Sequence, residues 1–232
     1  GKDLATRDSN GEILNAIAKS VAGFLGGSAD LAPSNKTELK GMGDFVAGKN
    51  IHFGIREHAM AAINNAFARY GLFLPFSATF FIFSEYLKPA ARIAALMKIK
   101  HFFIFTHDSI GVGEDGPTHQ PVEQLSTFRA MPNFLTFRPA DGVENAAAWQ
   151  IALENDLPCA FVLSRQKLKA LPQSVFGEVK NGAYLVKESA NAEFTLLASG
   201  SEVSLCLETA QKLEAKGKRV SVISMPCYEL FE

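Results

Sequence analysis

Cysteine is scarce in this chain of 232 residues, which holds only Cys159, Cys206 and Cys227. Three cysteines without paired spacing form neither a disulfide framework nor a cysteine-based metal site, and they suit a reducing cytosol. No apolar run approaches the roughly 18 residues that a membrane span needs, and the first residues contain no apolar signal core. We therefore expect a soluble cytoplasmic chain.

An excess of charge of either sign is also missing. The 23 basic residues nearly cancel the 24 acidic ones, so nothing in the composition favours nucleic acid or an anionic membrane as a partner. Any anion that the chain binds must be held by a few local groups. With 47% hydrophobic and 20% charged residues, the composition is that of a globular protein.

Helix and strand patterns alternate along the first 170 residues. A helical stripe over 9–24 is followed by a glycine-rich loop at 26–30 after a short or irregular strand, and a strand over 50–55 leads into a helix that starts at Glu57. Further strands are predicted at 76–82, 101–106, 134–138 and 160–164, with helices through residue 95, at 121–131 and at 142–154. This alternation predicts an α/β fold with a doubly wound parallel sheet.

A domain boundary is expected near residue 170. Residues 171–193 are polar and read as a linker with a strand near 183–186. Residues 194–232 predict a strand at 194–198, a helix at 202–216 and a strand at 220–225. One such βαβ unit cannot bury its own sheet. We therefore expect a domain over 1–170, a linker over 171–193 and a partial second α/β domain over 194–232, within a longer protein.

The densest group of reactive side chains lies in residues 106–121, directly after the apolar run 102–105. This segment carries His107, Asp108, Glu114, Asp115 and His119. A strand that ends in such a loop delivers its side chains to the carboxyl edge of a parallel sheet, where open α/β folds bind their ligands. The sequence therefore predicts the functional site at this edge.

Several interpretations of the 106–121 loop compete. His107 and His119 are either hydrogen-bonded structural residues or groups that transfer protons and contact anions, and two histidines together favour function. A metal site built from His107, Asp115 and His119 matches no known ligand spacing. The glycines of the loop are not followed by the Lys-Ser/Thr pair of a nucleotide-binding loop. We expect no metal ligands in the chain.

Glu57 and three aromatic residues are ambiguous by themselves. A glutamate at a helix start stabilises the helix through the macrodipole, whether or not it has a catalytic role. Phe80, Phe83 and Tyr86 recur at intervals of three, which is typical of a core stripe and also of a pocket wall for a flat heterocycle.

Dispersed polar residues complete the set of candidates. Arg7, Ser34, Arg56 and Arg165 are far apart in the sequence. Isolated arginines are normally surface residues unless folding gathers them around an anion. Taken singly, none of them indicates a site.

Four segments in this order resemble the middle domain of transketolase. They are residues 26–35 (GGSADLAPSN), 54–60 (GIREHAM), 106–121 (THDSIGVGEDGPTHQP) and 164–168 (SRQKL). The resemblance covers residues 7–168, while residues 194–232 resemble the opening of the family's third domain. The related 1-deoxyxylulose-5-phosphate synthase shares the fold and a Gly-Pro-Thr-His element. The Arg-Glu-His-Ala-Met string and the complete Thr-His-Asp-Ser loop favour transketolase.

The resemblance implies a reaction and a cofactor. Transketolases of the pentose phosphate pathway move a two-carbon ketol unit from a ketose phosphate to an aldose phosphate with thiamin diphosphate. Glu57 matches the glutamate that contacts the pyrimidine N1′, which implies a carboxyl group that shares a proton in a dry pocket. Phe80, Phe83 and Tyr86 match the aromatic wall of the pyrimidine pocket, with Phe83 as the main ring contact.

The resemblance also assigns the substrate-binding groups. Arg7, Ser34, His107 and Arg165 match residues that hold the sugar phosphate. Asp115 matches the residue that reads the C2 hydroxyl, and His119 the residue beside the C1 hydroxyl. The candidate catalytic residues are therefore Glu57, His107 and His119, and Asp30 matches a position near the subunit interface.

One part of the family's pattern is missing from this sequence. The ligands of the diphosphate and of its Mg²⁺ or Ca²⁺ lie in an N-terminal domain, in a Gly-Asp-Gly motif followed by Asn. The segment 43–45 has Phe45 in place of the second glycine, and Asn64 follows too soon. We therefore expect a homodimer with a shared active site and little or no turnover by this chain alone. A non-catalytic partner subunit of a split thiamin diphosphate enzyme is the alternative.

Overall fold

The computed structural model describes residues 2–231, which form seven α-helices and eight strands. The helices are α1 (Thr6–Ser20), α2 (Ala32–Asn35), α3 (Glu57–Tyr70), α4 (Ser84–Met97), α5 (Gln124–Arg129), α6 (Gly142–Glu154) and α7 (Glu202–Glu214). The strands are β1 (Phe24–Ser28), β2 (Leu74–Phe80), β3 (Phe102–Thr106), β4 (Leu135–Phe137), β5 (Cys159–Leu163), β6 (Tyr184–Lys187), β7 (Phe194–Ala198) and β8 (Val220–Ser224). Within residues 2–231, every helix is too short or too polar to span a bilayer.

Strands β1 to β5 form one parallel sheet in the order β1-β2-β3-β5-β4. Successive side chains of the central strand β3 point to opposite faces. Phe102 and Ile104 pack with α1 and α6, whereas Phe103 and Phe105 pack with α3, α4 and α5. Helices thus cover both faces of the sheet. The prediction of an α/β fold with a doubly wound parallel sheet is confirmed.

A smaller sheet follows in the order β6-β8-β7, with β6 antiparallel and β7 parallel to β8. This sheet is attached to α6 through the buried carboxyl group of Glu144. That group accepts hydrogen bonds from the hydroxyls of Tyr184 at 2.8 Å and Ser224 at 2.5 Å. Burial raises the pKa of Glu144, although these hydrogen bonds oppose the shift. Helix α6, which packs on the first sheet, therefore shares a buried polar contact with the second sheet.

The predicted helix over 9–24 is too long at its C-terminal end, and the loop predicted from residue 26 is wrong for residues 26–28. Helix α1 ends at Ser20, and the two glycines lie inside the edge strand β1. The main chain of residues 49–51 runs close beside them, and the Ile51 amide donates to the Gly26 carbonyl at 2.8 Å. A Cβ on Gly27 would lie only 1.8 Å from the Ile51 carbonyl oxygen. The glycines therefore mark a close backbone approach and not a loop.

The strand predicted over 50–55 is also wrong. Asn50 forms isolated bridges with Gly26 and Asp44, and no strand continues from it. Ile51 and Phe53 nevertheless pack against the core between the sheet and α3, which explains their strand-like apolar alternation. The helix predicted over 121–131 is shorter than expected, because only Gln124–Arg129 is helical.

A buried polar cluster around His101 fastens α3 to the sheet. The His101 ring lies between the Ser77 hydroxyl at 2.9 Å and the Asn65 side-chain oxygen at 2.7 Å. The Asn64 amide donates to the same Ser77 hydroxyl at 2.7 Å. The Ser77 hydrogen is thus directed to Nε2, and Nδ1–H donates to Asn65. This cluster holds the helix that begins at Glu57.

Burial of His101 predicts a loss of stability in mild acid. Burial lowers the pKa of this ring to about 3 from its ordinary 6.5. Between these two values the unfolded chain binds more protons than the folded one, so the free energy of unfolding falls as the pH falls. At one pKa unit per 1.36 kcal/mol, His101 contributes on the order of 2 kcal/mol to the loss between pH 7 and pH 5. Urea unfolding at both pH values measures this loss.

Two variants separate His101 from the other titrating groups. His101→Gln is expected to reduce the difference in stability between pH 7 and pH 5, because Gln does not titrate. His52→Gln is the control, since His52 is exposed and its side chain hydrogen-bonds only to Asp44, at 2.9 Å, among the described residues. Equal pH dependence in the wild-type protein and in His101→Gln would show that His101 is not the cause.

Candidate functional site

The central strand β3 ends at the carboxyl edge of the sheet, and His107 follows it directly. His107 is buried and has a left-handed backbone conformation, with φ of 61°. Its ring lies on that of Phe80, the last residue of the neighbouring strand β2, with ring centroids 3.7 Å apart. Parallel strands place their carboxyl ends at one edge. The edge predicted from the sequence thus brings a histidine and an aromatic ring into contact.

The three aromatic residues Phe80, Phe83 and Tyr86, at and after the end of β2, are not a core stripe. Phe80 is buried, Phe83 is half-buried and Tyr86 is 64% exposed. The rings of Phe80 and Phe83 are nearly parallel, with centroids 5.9 Å apart and an interplanar angle of 10°. His119 stands edge-on to Phe83 at 5.3 Å. The result is a partly open aromatic surface that two histidines of the loop contact.

Three cationic or imidazole groups from distant parts of the sequence meet beside this surface. The pKa of His107 falls to about 4, first because of burial and then because of the charge of Arg7, while Asp115 opposes the shift. Arg165 also lowers the pKa values of His107 and Arg7. Each residue therefore lies within electrostatic reach of the others. His107 is neutral at neutral pH, beside two arginines.

The position of Arg7 depends on helix α2. Its guanidinium donates to the main-chain carbonyl of Ser34 at 2.9 Å, so the carbonyl of Ser34 and not its hydroxyl faces Arg7. Burial is the main cause that lowers the pKa of Arg7, and Arg165 adds to it. Two like charges that repel each other make a favourable site for an anion, because an anion relieves their repulsion.

A chain of buried side chains behind His107 determines which ring nitrogen carries its proton. Thr106 donates its hydroxyl hydrogen to Asn35 Oδ1 at 2.6 Å, so the same hydroxyl oxygen accepts from His107 Nδ1–H at 2.9 Å. The Asn35 amide in turn donates to the Ser28 hydroxyl at 3.1 Å, and Ser28 shares a hydrogen bond with Thr37. Nε2 of His107 is therefore the nitrogen left for a ligand.

Glu57 is a buried carboxylate without a partner among residues 2–231. It is the first residue of α3 and is 7% exposed, yet no hydrogen bond or ion pair to its side chain is found there. Helix α3 packs against β2 and α4, whose junction carries Phe80 and Phe83. Neither carboxylate oxygen is completely shielded, so both keep some access to solvent or to a ligand. Glu57 is thus suited to accept or share a proton with a ligand.

The remaining sequence candidates lie at the rim. Asp115 is exposed in the loop and acts on Arg7 and His107 through its charge. Asp30 is exposed, with a left-handed φ of 62°, and no hydrogen bond joins it to the group among the described residues. Within residues 2–231, no group of three or more His, Cys, Asp or Glu side chains is arranged to hold a metal ion.

Sequence reasoning missed four side chains that support this edge. They are Ser28 and Asn35, and the ion pair of Asp108 with Arg138. Ser28 and Asn35 do occur inside the conspicuous segment 26–35, which was the available signal. Arg138 is separated by 30 residues from Asp108, and no local pattern indicates their contact.

Two family models match this chain. The model described as transketolase, pyrimidine binding domain, matches residues 2–170, and the model described as transketolase-like TK C-terminal domain matches residues 182–232. A transketolase of Halalkalibacterium halodurans is 53% identical over the whole chain, which spans 36% of that relative. The chain therefore covers about a third of the length of the curated relatives that it matches.

Solved structures give the same result. Transketolase from Campylobacter jejuni has a TM-score of 0.98 and 84% identity, and the match covers all of this chain and 37% of that one. Transketolase from Pichia stipitis in complex with sedoheptulose 7-phosphate has a TM-score of 0.97 and 40% identity, with 36% of that chain covered. A split gene transketolase, described as an inactive beta4 tetramer, has a TM-score of 0.80 and 26% identity, and the match covers 97% of this chain and 72% of that one.

Proposed function

The chain belongs to the transketolase family, and from this membership we propose that it forms the pyrimidine and substrate half of a transketolase active site. The whole site would transfer a two-carbon ketol unit from a ketose phosphate to an aldose phosphate. The observation that carries the proposal is the convergence of aromatic rings, two arginines and His107 at one sheet edge. We assign residues 1–170 to the pyrimidine-binding domain, 171–193 to a connecting arm and 194–232 to the start of the next domain.

The residues present fit the pyrimidine half of thiamin diphosphate. When bound, this cofactor supplies a carbon nucleophile that also acts as an electron sink. Glu57 offers a buried carboxylate whose missing partner would be the pyrimidine N1′. Phe83, half-buried and stacked near Phe80, would form the wall, and Tyr86 would close its outer edge.

The cationic group fits the phosphate of the sugar. Arg7 and Arg165 would hold the dianion, and the α2 residue Ser34 positions Arg7. His107 would donate from Nε2 once it has taken a second proton there, which a nearby dianion favours. Holding the phosphate fixes the distance to the reacting carbonyl. Asp115 would then read the C2 hydroxyl, and His119, which contacts Phe83, would lie beside the C1 hydroxyl.

Partner contacts complete the proposal. An apolar face on α3 and α4 is exposed, with Ile63, Tyr86, Ile93, Leu96 and Met97 on it, and we propose that it is covered in a homodimer with shared active sites. The diphosphate and its Mg²⁺ or Ca²⁺ would be held by residues outside this chain. The three free cysteines suit a cytoplasmic location.

An exchange protein tests the proposed function. It is the Campylobacter jejuni transketolase with its matching segment replaced by this chain, an exchange made conservative by 84% identity. We expect it to transfer a ketol unit from sedoheptulose 7-phosphate to glyceraldehyde 3-phosphate, which releases ribose 5-phosphate, whereas the 232-residue chain alone shows little or no transfer. A coupled assay of the aldose phosphate product measures both. An inactive but folded exchange protein, or full turnover by the isolated chain, would overturn the proposal.

Two alternatives give different results in the same assays. A 1-deoxyxylulose-5-phosphate synthase-like enzyme would decarboxylate pyruvate, which the exchange protein is expected not to do. A non-catalytic partner of a split enzyme is suggested by the split gene relative, described as inactive in its beta4 form. Such a partner would leave the exchange protein inactive with every sugar phosphate.

A further inference from the structure

Arg138 joins the loop that follows β3 to the loop that follows β7. It comes directly after β4 and is 6% exposed. Its guanidinium donates twice to Asp108 Oδ2, at 2.8 and 3.0 Å, and once to the Ser199 carbonyl at 2.9 Å. It also pairs with the carboxylate of Glu202, the first residue of α7. One side chain thus connects the substrate loop with the second sheet.

The main chain around Arg138 strengthens this connection. The Arg138 amide donates to the Pro226 carbonyl at 2.8 Å, and its carbonyl accepts from the Gly200 amide at 2.9 Å. A Cβ on Gly200 would lie 2.9 Å from the Arg138 side chain, so the β7 loop packs directly on it. The β7 loop and the segment after β8 therefore reach the site edge through this residue.

The charges in this cluster keep Arg138 ionised. Burial lowers the pKa of Arg138, but the charges of Asp108 and Glu202 more than offset that effect and raise it. Asp108 is buried, and one of its carboxylate oxygens has no hydrogen-bond partner in the part of the chain that the structure describes. Arg138 is therefore the main group that compensates the charge of Asp108.

Asp108 is adjacent to His107, whose left-handed backbone needs support from its surroundings. A non-glycine residue keeps such a conformation only where neighbouring contacts hold it. Thr106 is fixed on one side through Asn35, and Asp108 is fixed on the other through Arg138. These two anchors bracket His107 and define where its ring lies against Phe80.

We propose that Arg138 is a positioning residue for the sugar phosphate. Arg138 sets the conformation of His107 through Asp108, and it makes that conformation depend on the second sheet. The inference rests on the proposed function, because it assumes that His107 contacts the phosphate. Arg138 itself contacts neither substrate nor cofactor in this scheme.

The test compares a phosphorylated with an unphosphorylated ketol donor in the exchange protein. The readout is the ratio of kcat/KM for sedoheptulose 7-phosphate to that for erythrulose, which has no phosphate. Arg138→Met is expected to lower this ratio ~10-fold through a higher KM for the phosphorylated donor, since displacement of a positioning group impairs binding geometry. Arg138→Lys keeps the charge without the pair of hydrogen bonds that converge on Asp108 Oδ2, and it should give an intermediate ratio.

Arg129→Met is the matched control. Arg129 is a half-buried arginine near the second sheet, where it donates to the Ser199 hydroxyl at 3.2 Å and lies 3.7 Å from the centre of the Tyr228 ring. It has no hydrogen bond to Asp108 among the described residues. Its replacement should loosen the same junction without changing the donor ratio. Equal ratios in Arg138→Met and Arg129→Met would overturn the inference.

Two further measurements cover the remaining outcomes. Glu202→Gln keeps most of the cluster, and in this variant of the 232-residue chain hydrogen exchange should become faster at residues 107–112. Unchanged exchange there would count against the coupling between the second sheet and His107. His107→Ala in the exchange protein should itself lower the donor ratio. If His107→Ala does not lower the donor ratio, the role of His107 in the proposed function fails. A low donor ratio in His107→Ala with an unchanged donor ratio in Arg138→Met rejects only the role of Arg138.

Discussion

Glu57→Gln in the exchange protein is expected to lower kcat for ketol transfer by ~10²–10⁴-fold, the range for loss of a general acid–base group. Glutamine keeps the size of the side chain and can still form a hydrogen bond, but it cannot share a proton with a ring nitrogen. The buried carboxylate has no partner among residues 2–231 that would otherwise explain its position. Steady-state kinetics at saturating thiamin diphosphate measures the effect.

Glu114→Gln is the control for Glu57→Gln. Glu114 is an exposed carboxylate in the substrate loop, and we assign it no role. Its replacement should leave kcat within about twofold of the unsubstituted exchange protein, because exposed substitutions have small effects. A Glu57→Gln protein that binds the cofactor and keeps its turnover would remove Glu57 from the proposed chemistry.

Gly27→Ala is expected to lower the free energy of unfolding by ~3 kcal/mol or more, at the upper end of the range for overpacking. A Cβ at this position would lie 1.8 Å from the Ile51 carbonyl oxygen, which is a main-chain atom and cannot rotate away. Segment 49–51 would have to leave the edge of β1, and the segment that leads to Glu57 would move with it. Urea unfolding of the 232-residue chain measures the loss.

Gly177→Ala is the matched glycine control. No atom lies within 4 Å of a Cβ built at Gly177, and its φ is outside the left-handed range. We expect this variant to change the free energy of unfolding by no more than ~0.5 kcal/mol. Similar small changes in both variants would show that segment 49–51 yields easily, and that its contact with β1 is not a structural constraint.

The fold was predictable wherever local pattern and burial agree. The helix at 142–154 has the predicted bounds, because Asp141 caps its first turn and its apolar residues pack on the first sheet. The strand at 194–198 also has the predicted bounds, although most of its side chains are exposed. Prediction failed between residues 20 and 56. There, Gly26 and Gly27 lie inside strand β1, and the apolar alternation of 50–55 lies outside any sheet. Contacts between β1 and the chain some 25 residues later determine this structure.

The site was predictable in part. Residues of the 106–121 loop follow a strand directly, so their placement at the sheet edge follows from chain topology. Arg7 and Arg165 gave no signal by themselves, and only the resemblance singled them out; the structure places both beside His107. Arg138 and Asn35 act through buried contacts over 30 and 71 residues of sequence, which no local pattern contains.

The most direct test is a crystal structure of the exchange protein with thiamin diphosphate and sedoheptulose 7-phosphate. We predict that the pyrimidine ring lies on Phe83 with its N1′ at the Glu57 carboxylate, and that the sugar phosphate contacts Arg7, His107 and Arg165. A pyrimidine ring bound away from Glu57, or a phosphate held by other residues, would contradict the assignment of this chain as the pyrimidine and substrate half of the site.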